Sequence, residues 1–343
     1  MDLQAIWFFL WGLLWAIFFM TSGFDFGIGT LLPFIGKTDE EKRTMIASLG
    51  PLWHGNQVWL ITAGGVTFAA FPVVYAVMFS TLYSALMLVL FTLILRGVAI
   101  EFRSQQEDPR WKRIWEICIF VGSFAPALLF GVAFANIFKG IPFDADGVYH
   151  GNLLTLLNPY GLLGGVLFAM LFLQHGALWL AIKTTGTVQQ RAAAVARKAW
   201  PVLVAVAVVF LAASWYATDL YANYLNHPAL FLVIALAVAG LLAARLFMAG
   251  QAWIKAWAAS ALTIVSCTFY GVIGLFPSLF PSSLDPAFNL TARNASSSPL
   301  TLKIMLVVVI VFVPIVLIYQ IWAFKLFGSK VSAADLAHEE GAY

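Results

Sequence analysis

Charged side chains are scarce in this sequence, so the few that stand inside apolar stretches are the first candidates for chemistry. Asp25 lies in Thr21–Ser22–Gly23–Phe24–Asp25–Phe26–Gly27–Ile28–Gly29, within an apolar segment covering residues 5–34. A charge near a bilayer centre costs at least ~2.5–3.5 kcal/mol on insertion scales, so a carboxyl kept there marks a functional position. Small neighbours let another backbone approach closely, and the hydroxyls of Thr21 and Ser22 stand beside the carboxyl. That setting suits a proton relay; a structural ion pair with Arg96 is the competing reading, and the sequence leaves both open. His54 follows in Trp53–His54–Gly55–Asn56–Gln57–Val58–Trp59–Leu60. Imidazole titrates near neutral pH and could pass protons at a membrane boundary, while Trp53 and Trp59 also suit an interfacial anchor.

Four further residues weigh less. Arg96 and Glu101 flank one end of the third apolar segment, where an arginine can snorkel to the interface. Glu116 opens the fourth, where a carboxylate suits the helix dipole. His175, in Gln174–His175–Gly176, has no facing partner in the pattern and reads as a packing residue rather than a haem ligand. Cys118 and Cys267 belong to no C-x-x-C motif, so neither a metal site nor a disulfide is expected.

These residues need elements to hold them, and composition says which. The 343 residues are 62% hydrophobic and only 10% charged. Such a chain cannot cover a water-facing surface, whereas helices satisfy their own backbone groups in lipid. The expectation is an all-α integral membrane protein of about nine spans: 5–34, 51–71, 74–101, 112–139, 159–183, 198–217, 228–248, 253–276 and 301–326. Two four-helix bundles plus one peripheral helix would accommodate that number. Phe71–Pro72 is the turn between the second and third. The whole of 1–343 reads as a single polytopic membrane domain with no soluble domain. The N-terminal segment lacks a basic start and is too long for a signal peptide, so it reads as a retained span.

Lysine and arginine set the orientation. Of 19 such residues, Lys139, Arg293 and Lys303 fall on one side and Arg96 inside a span; the rest occupy the alternate loops. The N-terminus is therefore expected outside and the C-terminus in the cytoplasm. A net charge of +3 with no basic run excludes nucleic acid as a partner. Asp25, His54, Arg96, Glu101 and Glu116 then all lie toward the cytoplasmic leaflet. That lopsidedness fits proton uptake from the cytoplasm better than a midplane solute site, for which matched helix interruptions are expected. A secondary transporter for a small ion or solute is the alternative.

At these motifs the chain resembles subunit II of the cytochrome bd quinol oxidases. The resemblance rests on the Gly23–Gly29 and Trp53–Leu60 stretches and on Gly64–Gly65 with Phe68–Ala69–Ala70–Phe71–Pro72. It extends through Arg96–Gly97–Val98 with Glu101–Phe102–Arg103, Gly122–Ser123–Phe124, Gly131–Val132 and Pro142–Phe143 to Phe276–Pro277, Pro281–Ser282–Ser283 and Leu300–Thr301–Leu302. It implies a terminal oxidase that oxidises membrane quinol and reduces O2 to water. It further implies a heterodimer with a haem-bearing subunit I, which carries haem b, haem d and the quinol site, and it leaves room for small single-helix accessory subunits. This chain would hold no catalytic residue, no metal and no haem, and would line part of the cytoplasmic proton path in a bacterial inner membrane. A structurally held quinone, present in some members, stays open. Many members carry an aspartate where this chain has His54, and often an acidic residue where it has Ser22. The proton path carries over to Asp25 directly and to His54 and Ser22 by position, with Arg96, Glu101 and Glu116 as polar support.

Overall fold

A computed structural model describes residues 2–331. It is helical almost throughout, in the order α1 (Leu3–Ile35), α2 (Asp39–Ala47), α3 (Leu52–Ala70), α4 (Pro72–Thr81), α5 (Tyr83–Phe102), α6 (Pro109–Lys139), α7 (Pro159–Lys183), α8 (Gly186–Ala217), α9 (Tyr221–Asn226), α10 (Phe231–Ala249), α11 (Trp253–Leu275) and α12 (Pro299–Leu326). A two-stranded antiparallel ribbon, β1 (Ser278–Phe280) and β2 (Leu290–Thr291), is set in the loop before α12. The boundaries follow local chemistry. Pro72, Pro109, Pro159 and Pro299 each open a helix, where the missing N–H has no intrahelical partner to lose. Asp2, Thr38, Asp108, Asn158 and Ser298 cap helix N-termini through their side chains.

Eight helices among the described residues are long and apolar enough to cross a membrane: α1, α5, α6, α7, α8, α10, α11 and α12. The expected count of about nine is met by these eight together with α3, which is shorter and more polar. At 19 residues, α3 is ~28 Å long, close to the hydrocarbon thickness, but it carries His54, Asn56 and Gln57. The expected span 74–101 is two helices broken at Leu82, and the expected span 198–217 is the second half of α8.

Two groups of four pack side by side: α1, α3, α5 and α6, then α7, α8, α10 and α11. Helix α12 lies outside both, touching α1 and α3, with Leu302 its one buried residue. The seam between the groups is α1 and α6 against α7. It is closed by glycine. A Cβ on Gly27 would stand 2.0 Å from the Phe172 carbonyl oxygen, one on Gly176 would stand 2.6 Å from the Gly27 backbone, and one on Gly131 would stand 2.2 Å from the Gly164 carbonyl oxygen. Without hydrophobic attraction between helices in lipid, such backbone approach supplies the packing contact. Phe19 fills the space above the seam, with Phe130, Phe134, Phe168 and Phe172 around it.

The loops segregate to two ends. At one, Ile141 N–H donates to Pro281 O and Ser297 N–H to Ala70 O. At the other, Arg191 donates to Ile35 O, the Trp179 indole to Ser48 O, and Val331 N–H to Lys183 O. The loops at this second end, those after α1, α5 and α7, hold most of the basic residues.

Candidate functional site

Asp25 sits on α1 where α3 and α12 approach it, fully buried. Its Oδ2 accepts a hydrogen bond from Asn56 Nδ2 at 2.9 Å, and Oδ1 has no partner among the described residues. The same Asn56 amide donates to the Thr21 carbonyl at 3.1 Å. Asn56 Oδ1 lies 3.5 Å from Gln320 Nε2 on α12, and Gln320 Oε1 accepts from the Trp59 indole N–H at 2.9 Å. Ser22 is buried one position off this string and accepts from Gln57 Nε2 at 3.2 Å. The site is therefore a chain of polar groups from α12 through α3 into α1, ending on a carboxyl with one free oxygen.

Arg96 does not snorkel. It is 1% exposed on α5, with its guanidinium over the Phe26 ring at 5.2 Å and the Trp53 ring at 5.5 Å. Gly122 admits it, since a Cβ there would stand 2.6 Å from Arg96 Cβ. Its Nε and Nη2 have no hydrogen-bond partner, and it forms no ion pair with Asp25 among the described residues; Arg96 is held by aromatic faces instead.

His54, by contrast, is exposed on the outer face of α3, its ring 3.7 Å from that of Trp53. Two positions separate His54 from Asn56, about 200° around a helix, so one faces inward and the other outward. Glu101 is exposed at the end of α5. Glu116 belongs to an ion network rather than to a helix dipole. It accepts from Arg103 at 2.7 and 3.2 Å and from Lys42 at 2.7 Å, and Arg103, itself buried, also reaches Asp39 at 2.6 Å. This network ties α2 to the start of α6 at the basic end, about 15 Å of helix from Asp25.

His175 lies buried on α7, stacked on Trp257 at 4.8 Å. Its Nε2 is 3.1 Å from the Met20 carbonyl and Nδ1 is 3.1 Å from Ser260 Oγ. A carbonyl only accepts, so Nε2 carries the proton and Nδ1 accepts from the serine. Both nitrogens are committed, and the ring does not fit a haem iron. Cys118 and Cys267 are free thiols.

Asn56, Gln57 and Gln320 are the site residues that the sequence reading passed over. Their signal was present, since each is an amide inside an apolar segment, but an amide carries no charge and draws less notice than Asp25.

Fold and site together define a multi-pass helical membrane protein with a buried carboxyl served by a polar string from one side. The chain belongs to the cytochrome bd terminal oxidase subunit II family, which it matches over residues 3–327. It is 40% identical to cytochrome bd-I ubiquinol oxidase subunit 2 of Escherichia coli strain K12, covering 97% of this chain and 96% of that one. It is 37% identical to cytochrome bd ubiquinol oxidase subunit 2 of Bacillus subtilis, covering 96% and 97%. Its fold matches a chain of the bd oxidase from Geobacillus thermodenitrificans with a TM-score of 0.79 at 15% identity, over 95% of this chain and 99% of that one.

Proposed function

We propose that this chain is subunit II of a cytochrome bd quinol oxidase in a bacterial inner membrane. Its partner is the haem-bearing subunit I, which holds haem b and haem d. The complex takes electrons from membrane quinol and delivers them to O2, forming water and contributing to the proton motive force. Haem supplies the electron transfer and oxygen chemistry in the partner; this chain supplies helices that support it and a route for protons. Nearly full-length membership of an oxidase subunit family carries this reading and favours it over a secondary transporter. Residues 1–343 work as one membrane unit, with the basic end facing the cytoplasm and the N-terminus outside, as the lysine and arginine distribution supports.

Within that frame Asp25 holds and passes protons taken up from the cytoplasm. Its complete burial and free Oδ1 support the assignment, since a carboxyl oxygen already bonded by a donor is poorly placed to exchange a proton. Ser22, bonded to Gln57, extends the polar lining. His54, on the outward face of α3, serves the path from the surface that meets subunit I. Arg96 supports the site electrostatically from α5, and Glu116, with Glu101 at the same end, stands where protons are gathered. A structurally held quinone and single-helix accessory subunits are compatible with the lipid-facing apolar helices.

The test is quinol-driven oxygen consumption per haem in purified complex. Asp25→Asn keeps shape and hydrogen bonding but removes the titrating group, and lowers turnover by roughly a hundredfold with haem spectra unchanged. Near-normal turnover per haem would sink the assignment of Asp25.

A further inference from the structure

The polar string beside Asp25 has a direction, and its two ends fix it. Trp59 lies at one end, and an indole N–H can only donate. Gln320 must therefore turn its oxygen to Trp59, as the 2.9 Å contact has it, which leaves its NH2 toward Asn56. Asn56 in turn presents its oxygen to Gln320 and its NH2 to α1. At the other end stands the Thr21 carbonyl, which can only accept and takes a bond from Asn56 Nδ2 at 3.1 Å. Donor-only and acceptor-only termini agree, so a flipped Asn56 amide would set oxygen against oxygen at Thr21 and nitrogen against nitrogen at Gln320. Chains of this kind polarise one another and hold a single sense.

We infer that Trp59, Gln320 and Asn56 are positioning residues that hold Asp25 Oδ2 as a permanent hydrogen-bond acceptor, so that Asp25 takes up and releases its proton through Oδ1 alone. The inference rests on the reading of Asp25 as a proton carrier. It gives α12, otherwise a lightly attached outer helix, a specific task through Gln320. It also accounts for a buried carboxyl whose Oδ2 is bonded by Asn56 while Oδ1 meets no donor among the described residues. A proton on Oδ2 would oppose the Asn56 N–H, whereas one on Oδ1 meets no donor.

The experiment uses the purified oxidase complex and two readouts: turnover per haem, and the infrared C=O stretch of protonated Asp25, identified by its loss in Asp25→Asn. Asn56→Leu keeps the side chain's size and removes the donor. Turnover falls about tenfold and the carboxyl band moves to higher frequency, the loss of a hydrogen bond of ordinary net strength. Gln320→Met falls about threefold, less because Thr21 still orients Asn56. Trp59→Phe behaves like Gln320→Met. Adding Gln320→Met to Asn56→Leu brings no further loss, because the glutamine acts only through the asparagine; a packing role for Gln320 would instead multiply the two losses. An unshifted band in Asn56→Leu, or multiplying losses in the double variant, overturns the inference. If Asp25→Asn itself retains turnover, the proton-path reading is what fails, and the band shift alone then decides whether Oδ2 is held as acceptor.

Discussion

Asp25 and Arg96 are both buried and carry opposite formal charges, yet they do not touch. The outcome of Asp25→Asn therefore separates two roles at the level of assembly. Breaking a buried ion pair leaves an uncompensated charge and costs roughly 3–5 kcal/mol, enough to prevent assembly. With Arg96 held by the faces of Phe26 and Trp53, Asp25→Asn is expected to assemble with a normal haem-to-protein ratio, measured on the isolated complex. His175 makes the complementary case. His175→Ala removes two buried hydrogen bonds and a ring stacked on Trp257, so the complex loses about 1–3 kcal/mol of stability. Its haem absorption bands stay as they were, because neither nitrogen is available to iron; loss of one haem band in assembled complex would contradict the tautomer assigned here. That Asp25 stands out as a carboxyl inside a helix was legible in the sequence, since a carboxyl in an apolar run is costly wherever it lies. Which of its oxygens is engaged was not, because the donor comes from a helix 31 residues away and is itself turned by one 264 residues further on.

At the scale of elements, the α1–α7 crossing and the α2 clasp make separate predictions. Gly27→Ala places a methyl 2.0 Å from a carbonyl oxygen on α7, and neither backbone can yield without separating the helices. Overpacking of this kind costs about 1–3 kcal/mol or more, which a lowered melting temperature of the complex reads directly. At the basic end, Glu41 accepts from Thr187 Oγ1, Lys37 N and Arg191 Nη1, each at 2.7 Å, and from Thr38 N at 3.3 Å. Burial raises its pKa, but those donors outweigh it and bring the carboxyl down from 4.5 to about 2. Because the folded value lies below the unfolded one, the stabilisation is complete above pH 4.5 and disappears as pH falls through 2. Comparing the thermal stability of the natural complex with that of the Glu41→Gln complex across this range, the gap is expected to be widest above 4.5 and to close toward 2. Capping signals such as Thr38 with Glu41 were readable in sequence; that Glu41 also gathers Arg191 and Thr187 from α8 was not.

For the whole molecule, the outward face of α3 is the informative surface. His54 is exposed there beside Gly55, and Ile61 and Phe68 continue the same face. A polar ring turned away from its own bundle at membrane depth requires protein or water rather than lipid. Expression without the partner subunit is therefore expected to give aggregate or low yield. Recovery of a stable lone chain at the level reached with its partner would argue that this face needs no cover.

Sequence alone determined the solvent, the class and the gathering of the basic loops at one end. Hydropathy and the placement of lysine and arginine are sums over local composition, and lipid imposes them on each segment independently. It also marked Asp25, Ser22 and the Trp53–Leu60 motif, whose residue types are unusual for where they stand. Tertiary structure alone decided that Asn56 faces Asp25 while His54 faces away, that Arg96 is buried under aromatic rings, and that Glu116 is a member of an ion network. It also decided that a glutamine on the outermost helix completes the site. Each of these depends on how one helix is rotated and placed against another, and that is fixed by backbone contacts such as Gly27 on Gly176 between segments far apart in the chain, which no local pattern records.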